Sequence, residues 1–115
     1  MPQHIIIGWF DGAVQRNGEQ SGAGGVIKLN DHTIYRWTLN CGGGTNTIEK
    51  LLGAWVVLTL THKISISDIH IIGDSKIVID WLNNIGSLQV ITIECWKDRV
   101  RELIKKFSVI TFAHV

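Results

Sequence analysis

A chain of 115 residues has room for one hydrophobic core and not for two, and such a core takes roughly two-thirds of the unfolded surface out of water. With 45% apolar residues, 18% charged residues and one proline, the composition excludes disorder, and a formal net charge of +1 excludes a tail that holds polyanions through bulk charge alone. Two cysteines, Cys41 and Cys95, are too few for a disulfide scaffold and lack zinc-site spacing, so both read as free buried thiols.

Residues 5 to 10 form a continuous apolar run, the pattern of a central strand covered on both faces, which Asp11 is expected to end. A polar turn leads to a second strand over 23–29, and Asn30-Asp31-His32 separates it from a third over 33–39. Short turns make these an antiparallel meander. After Gly42-Gly43-Gly44 the period changes: Ile48, Leu51, Leu52, Trp55, Val56 and Thr59 or Leu60 recur at helical spacing and define the face expected to pack on the sheet. The longest mainly apolar run, Leu51 to Leu60, is half a bilayer span, and Met1-Pro2-Gln3-His4 lacks the cationic start of a secretory signal. The expectation is a soluble, intracellular, single domain over 1–115 with no membrane partner.

A fourth strand is expected over 68–73, then a helix from Ser75 to Asn83 with Ile77, Val78, Trp81 and Leu82 inward. A third helix, about Thr92 to Phe107, carries Ile93, Trp96, Val100, Leu103 and Ile104 on one side and Lys97, Arg99, Arg101, Lys105 and Lys106 largely on the other. Residues 108–115 complete the sheet. Later strands reached through helices favour parallel pairing, so the order predicts an α/β fold with a mixed five-stranded sheet. The five tryptophans read mainly as core, with Trp81 the best candidate for a position at the rim of a site.

Three acids stand near element boundaries, in Trp9-Phe10-Asp11-Gly12-Ala13, Thr45-Asn46-Thr47-Ile48-Glu49 and Ile71-Ile72-Gly73-Asp74-Ser75. Singly, each has a structural reading as a turn former, a capping-box acid or a helix cap. On one sheet they become neighbours, because the first and fourth strands, joined through the helix bearing Glu49, can lie side by side. Carboxylates ~4 Å apart repel by about 4 kcal/mol at an effective dielectric of 20, so a fold keeps such a cluster around a cation. Oxygen donors without Cys or clustered His suit Mg²⁺ or Mn²⁺, and paired metals serve phosphodiester cleavage.

The same words, in this order and together with Gly22-Ala23-Gly24-Gly25-Val26, resemble the ribonuclease H family, most closely the domains of plant retroelement reverse transcriptases. The resemblance spans nearly the whole chain. It implies a ribonuclease H-like fold and a metal-dependent endonuclease that hydrolyses the RNA strand of RNA/DNA hybrids, leaving 3′-hydroxyl and 5′-phosphate ends. Asp11, Glu49 and Asp74 match metal-binding acids for two Mg²⁺ (or Mn²⁺) ions. Asn46 matches a hybrid contact near the RNA 2′-hydroxyl, Gly12 and Ala13 lie where the backbone approaches nucleic acid, and Ser75 is a further candidate substrate contact.

Two departures stand out. The family's fourth acid lies past the final strand, on a helix for which this sequence has no counterpart, and the connection from Asn84 to Val90 has no room for a basic protrusion. A sheet surface left by that helix would be covered by a second copy or a partner chain. The competing expectation is a weakly active or inactive nucleic-acid-binding module of the same fold; a third is a superfamily enzyme acting on DNA.

Overall fold

The computed structural model describes residues 6–14, 21–42, 46–88 and 94–115. Its elements are β1 (Ile7–Val14), β2 (Ser21–Lys28), β3 (Ile34–Gly42), α1 (Asn46–Lys63), β4 (Asp68–Gly73), α2 (Lys76–Leu82), α3 (Glu94–Ile104) and β5 (Val109–His114). The strands form one sheet in the order β3-β2-β1-β4-β5. Meander neighbours pair antiparallel, and β4 and β5, each reached through helix, pair parallel. No helix among the described residues is long and apolar enough to cross a membrane.

Asp11 does not end its strand. On the β2 side the ladder continues from Asp11↔Gly24 to Val14↔Ser21, whereas on the β4 side it stops at Phe10↔Gly73. Asp11 is therefore the first residue of β1 past the end of β4. Every second residue of β1, β2 and β4 faces the helices: Phe10, Ala23, Ile27, Ile69 and Ile71 are buried there against Leu51, Ala54, Val57 and Leu58 of α1.

The buried stripe of α1 is rotated from the expected one. Leu51, Ala54, Val57, Leu58 and Thr61 are fully buried, while Ile48, Leu52, Trp55, Val56 and Leu60 are half-buried. Small residues decide the phase: a side chain at Gly53 would stand 3.4 Å from Phe10 and 3.6 Å from Ala23, so the helix lies close over β1 and β2 at this point. Trp55 instead turns toward α3, where it meets Trp96 edge-on at 5.0 Å.

Ile77, expected inward, is 60% exposed, and Ile79 takes its place with Val78, Trp81 and Leu82. Residue 77 shares its side of this short helix with Asp80, which pairs with Lys76 at 2.8 Å. Trp37 and Trp81 are core; Trp9, Trp55 and Trp96 are half-buried, so Trp81 is not at a rim. Cys95 is free but exposed, against the expectation of a buried thiol; the Cys41 side chain and Ile93 lie outside the described residues.

Arg101 departs from the solvated basic face expected for α3. Its guanidinium lies 4.0 Å above the Trp81 ring and donates to the carbonyls of Trp81 (2.6 Å) and Leu82 (3.4 Å) at the end of α2, the first of which also accepts from Asn84 N–H at 3.0 Å. Desolvation lowers its pKa, though far too little to remove the charge. An Arg101→Ala variant is expected to lose about 1.5 kcal/mol, a fall of roughly 6 °C in thermal midpoint, and Arg101→Lys is expected to recover less than half because lysine cannot stack and fork together.

Candidate functional site

Asp11 and Asp74 stand just past the point where the parallel pairing of β1 and β4 ends, in the crevice where open α/β sheets commonly place ligands. Asp74 follows Gly73, and that glycine is required. A Cβ there would lie 2.5 Å from Cζ and 2.7 Å from Cε1 of the buried Phe10 ring. The absence of a side chain thus lets the end of β4 lie against β1. From the far side, β5 holds the same point: Val115 N–H donates to the Gly73 carbonyl at 3.0 Å, and His114 Nε2 lies 3.2 Å from the Asp74 carbonyl. A carbonyl only accepts, so His114 carries its proton on Nε2 in this contact.

The residue of α1 that reaches both aspartates is Lys50. Its Nζ lies 3.1 Å from Asp11 Oδ1, 2.8 Å from Asp74 Oδ1 and 2.9 Å from Asp74 Oδ2. Lys50 is only 15% exposed, against 64% for Asp11 and 44% for Asp74, so the ammonium is the inner member of the cluster and the carboxylates its solvated flanks. Burial alone would lower the Lys50 pKa, but hydrogen bonds and charge from Asp74 and Asp11 outweigh it and hold the ammonium above its ordinary value. The stabilisation tied to this raised pKa is complete below the ordinary lysine value of about 10.4 and disappears only as pH climbs through the raised one.

Glu49, expected with the two aspartates, is fully buried on α1. It shares the i, i+4 line of Gly53 and Val57, which rests on the sheet, and it has no accessible surface. Neither carboxylate oxygen has a hydrogen-bond partner. One residue on, and about 100° around the helix, Lys50 falls at the edge that looks toward Asp11 and Asp74. Among the described residues no three His, Cys, Asp or Glu side chains gather into a group able to hold a metal ion. A dication within ~4 Å of the ammonium would meet about twice the ~4 kcal/mol repulsion of two unit charges at an effective dielectric of 20. Two carboxylates already joined to a lysine do not fit a pair of Mg²⁺ or Mn²⁺ ions.

Ser75 caps α2: its extended backbone precedes the helix, and its hydroxyl accepts from Val78 N–H at 3.4 Å. Gly12 and Ala13 continue β1 opposite Ala23 and Gly22, but their surroundings and the Asn46 side chain lie outside the described residues. Sequence reasoning passed over Lys50. The signal lay in its spacing, since Lys50, Ala54, Leu58 and Thr61 form a helical line whose other members are buried.

The reverse transcriptase-like family model matches residues 9–115. Among solved structures, the fold is similar to RNase H1 from the halophilic archaeon Halobacterium salinarum (24% identity, TM-score 0.85, covering 96% of this chain and 84% of that one). It is also similar to the N-terminal RNase H domain of a Mycobacterium tuberculosis protein (20% identity, TM-score 0.87, 98% and 83% covered) and to LC11-RNase H1 in complex with RNA/DNA hybrid (15%, 0.83, 96% and 84%). No curated protein matches the sequence. With nearly all its length matched by the family model and this fold beneath it, the chain belongs to the reverse transcriptase-like family and carries a ribonuclease H-like domain.

Proposed function

We propose that this domain binds RNA/DNA hybrids at the carboxyl ends of β1 and β4 and that, with Lys50 in place, it recognises the hybrid without cutting it. The observation that carries the reading is the convergence of Asp11 and Asp74 on one lysine at the ligand-binding end of the sheet. The family match and the likeness to a protein solved with RNA/DNA hybrid support the choice of ligand. Asn46, Gly12 and Ala13, at the start of α1 and the end of β1, are the proposed hybrid contacts, with Ser75 contributing through the start of α2 rather than through a free hydroxyl.

The second reading is the nuclease itself, hydrolysing the RNA strand with Mg²⁺ or Mn²⁺ through Asp11, Glu49 and Asp74. The paired aspartates favour it; the buried Glu49 and the ammonium between them do not. Labelled RNA/DNA hybrid, RNA duplex and DNA duplex incubated with the chain, in EDTA and then in Mg²⁺ or Mn²⁺, separate the two. Preferential hybrid binding in EDTA, weakening as salt rises and unaccompanied by RNA cleavage when metal is added, is the expected outcome. Efficient, metal-dependent cleavage would restore the nuclease, and equal binding of all three duplexes would remove the hybrid.

A further inference from the structure

We propose that Lys50 is the resident cation of this site: a built-in ammonium stands between Asp11 and Asp74 where a divalent ion would otherwise be held, and Lys50→Glu alone converts the pocket into a divalent-cation site. The inference deepens the reading above and rests on it for the location of the site, not for hybrid binding.

Geometry carries it. Nζ meets three carboxylate oxygens, one from β1 and two from the turn after β4, at 2.8 to 3.1 Å, the arrangement a metal would need with the cation changed from a dication to an ammonium. The stem runs from a largely buried position on α1, so the charge is held in the cleft and does not sweep the surface. A glutamate at position 50 would leave the helix in the same direction and end one bond short of Nζ, which places its carboxylate oxygens beside the point where Asp11 and Asp74 converge. Small adjustments of the three side chains would then set the ~2.0 to 2.1 Å that Mg²⁺ requires. Three carboxylates from β1, α1 and the end of β4 would then face one point. Glu49, one residue away, is fully buried on the line of Gly53 and Val57, and neither of its oxygens has a hydrogen-bond partner.

The test is calorimetric titration with MnCl₂ and thermal melts in MnCl₂ and EDTA on the parent chain, Lys50→Glu, Lys50→Gln and Lys50→Glu/Asp74→Asn. The parent is expected to give no saturable Mn²⁺ heat and no change in midpoint. Lys50→Glu should melt below the parent in EDTA and rise by on the order of 10 °C when Mn²⁺ reaches 100 times its dissociation constant. The double variant should lose most of that rise. A parent chain that binds Mn²⁺ as well as Lys50→Glu, or a folded Lys50→Glu without Mn²⁺ response, overturns the proposal. Should Lys50→Glu fail to fold even with Mn²⁺, Lys50→Gln decides: it removes the ammonium without adding repulsion, and a Mn²⁺ shift absent from the parent supports the proposal, whereas none refutes it. Hybrid binding read by fluorescence anisotropy in EDTA on the same samples reports separately, so its failure beside an intact Mn²⁺ response would sink the hybrid reading alone.

Discussion

A Glu49→Met variant is expected to unfold on the order of 10 °C above the parent chain, a gain of about 2 to 3 kcal/mol at this chain length. The reason is an unmet obligation in the core. Glu49 has no accessible surface and neither carboxylate oxygen finds a donor, and a buried polar group left unsatisfied costs about 1 to 3 kcal/mol, more when it is charged. Methionine matches the unbranched shape of glutamate, adds apolar contact with the surrounding core and needs no hydrogen bond. Thermal melts of the two proteins at neutral pH are the measurement. An unchanged or lower midpoint would mean that Glu49 has a partner in solution, as a role in the carboxylate cluster would give it.

Gly73→Ala is expected to act in the opposite direction, with a loss of about 2 to 3 kcal/mol and a midpoint lower by roughly 10 °C. The added methyl would meet Phe10 Cζ at 2.5 Å, and Phe10, only 2% exposed, has no open space into which its ring can retreat. Either the ring or the end of β4 must shift. If β4 yields, Asp74 moves with it, so the ion pair to Lys50 should loosen as the fold weakens. Gly24→Ala is the internal control: a Cβ there meets nothing closer than a carbonyl at 3.5 Å, so its midpoint should move by no more than a few degrees. Equal effects at both glycines would remove the special role assigned to the Gly73–Phe10 contact.

Topology was legible because connection length constrains pairing. A three-residue turn at Asn30-Asp31-His32 leaves the second and third strands no choice but to run antiparallel, and a helix between strands leaves parallel pairing as the compact return. The phase of α1 was less legible for a physical reason. Ile48, Leu52, Trp55 and Val56 are apolar and half-buried, so a stripe through them satisfies the helical period as well as the true one. What settles the matter is bulk, not polarity: Gly53 and Ala54 mark the side that comes closest to the sheet. The phase there decides how the two neighbours Glu49 and Lys50 are presented: Lys50 reaches both aspartates, and Glu49 is fully buried. The ladder explains why Asp11 and Asp74 lie side by side, although the overhang of β1 past Gly73 left no trace in a run of apolar residues.

Lys50 also has a mechanical consequence. It gathers partners 39 and 24 residues away, from β1 and from the turn after β4, onto the first turns of α1. Regions that would otherwise fray independently are thereby joined, and the cleft should open and reclose as a single cooperative unit rather than one edge at a time. A ligand that drew either aspartate away from the lysine would loosen the other as well, so occupancy at one lip of the crevice would be felt at its opposite lip.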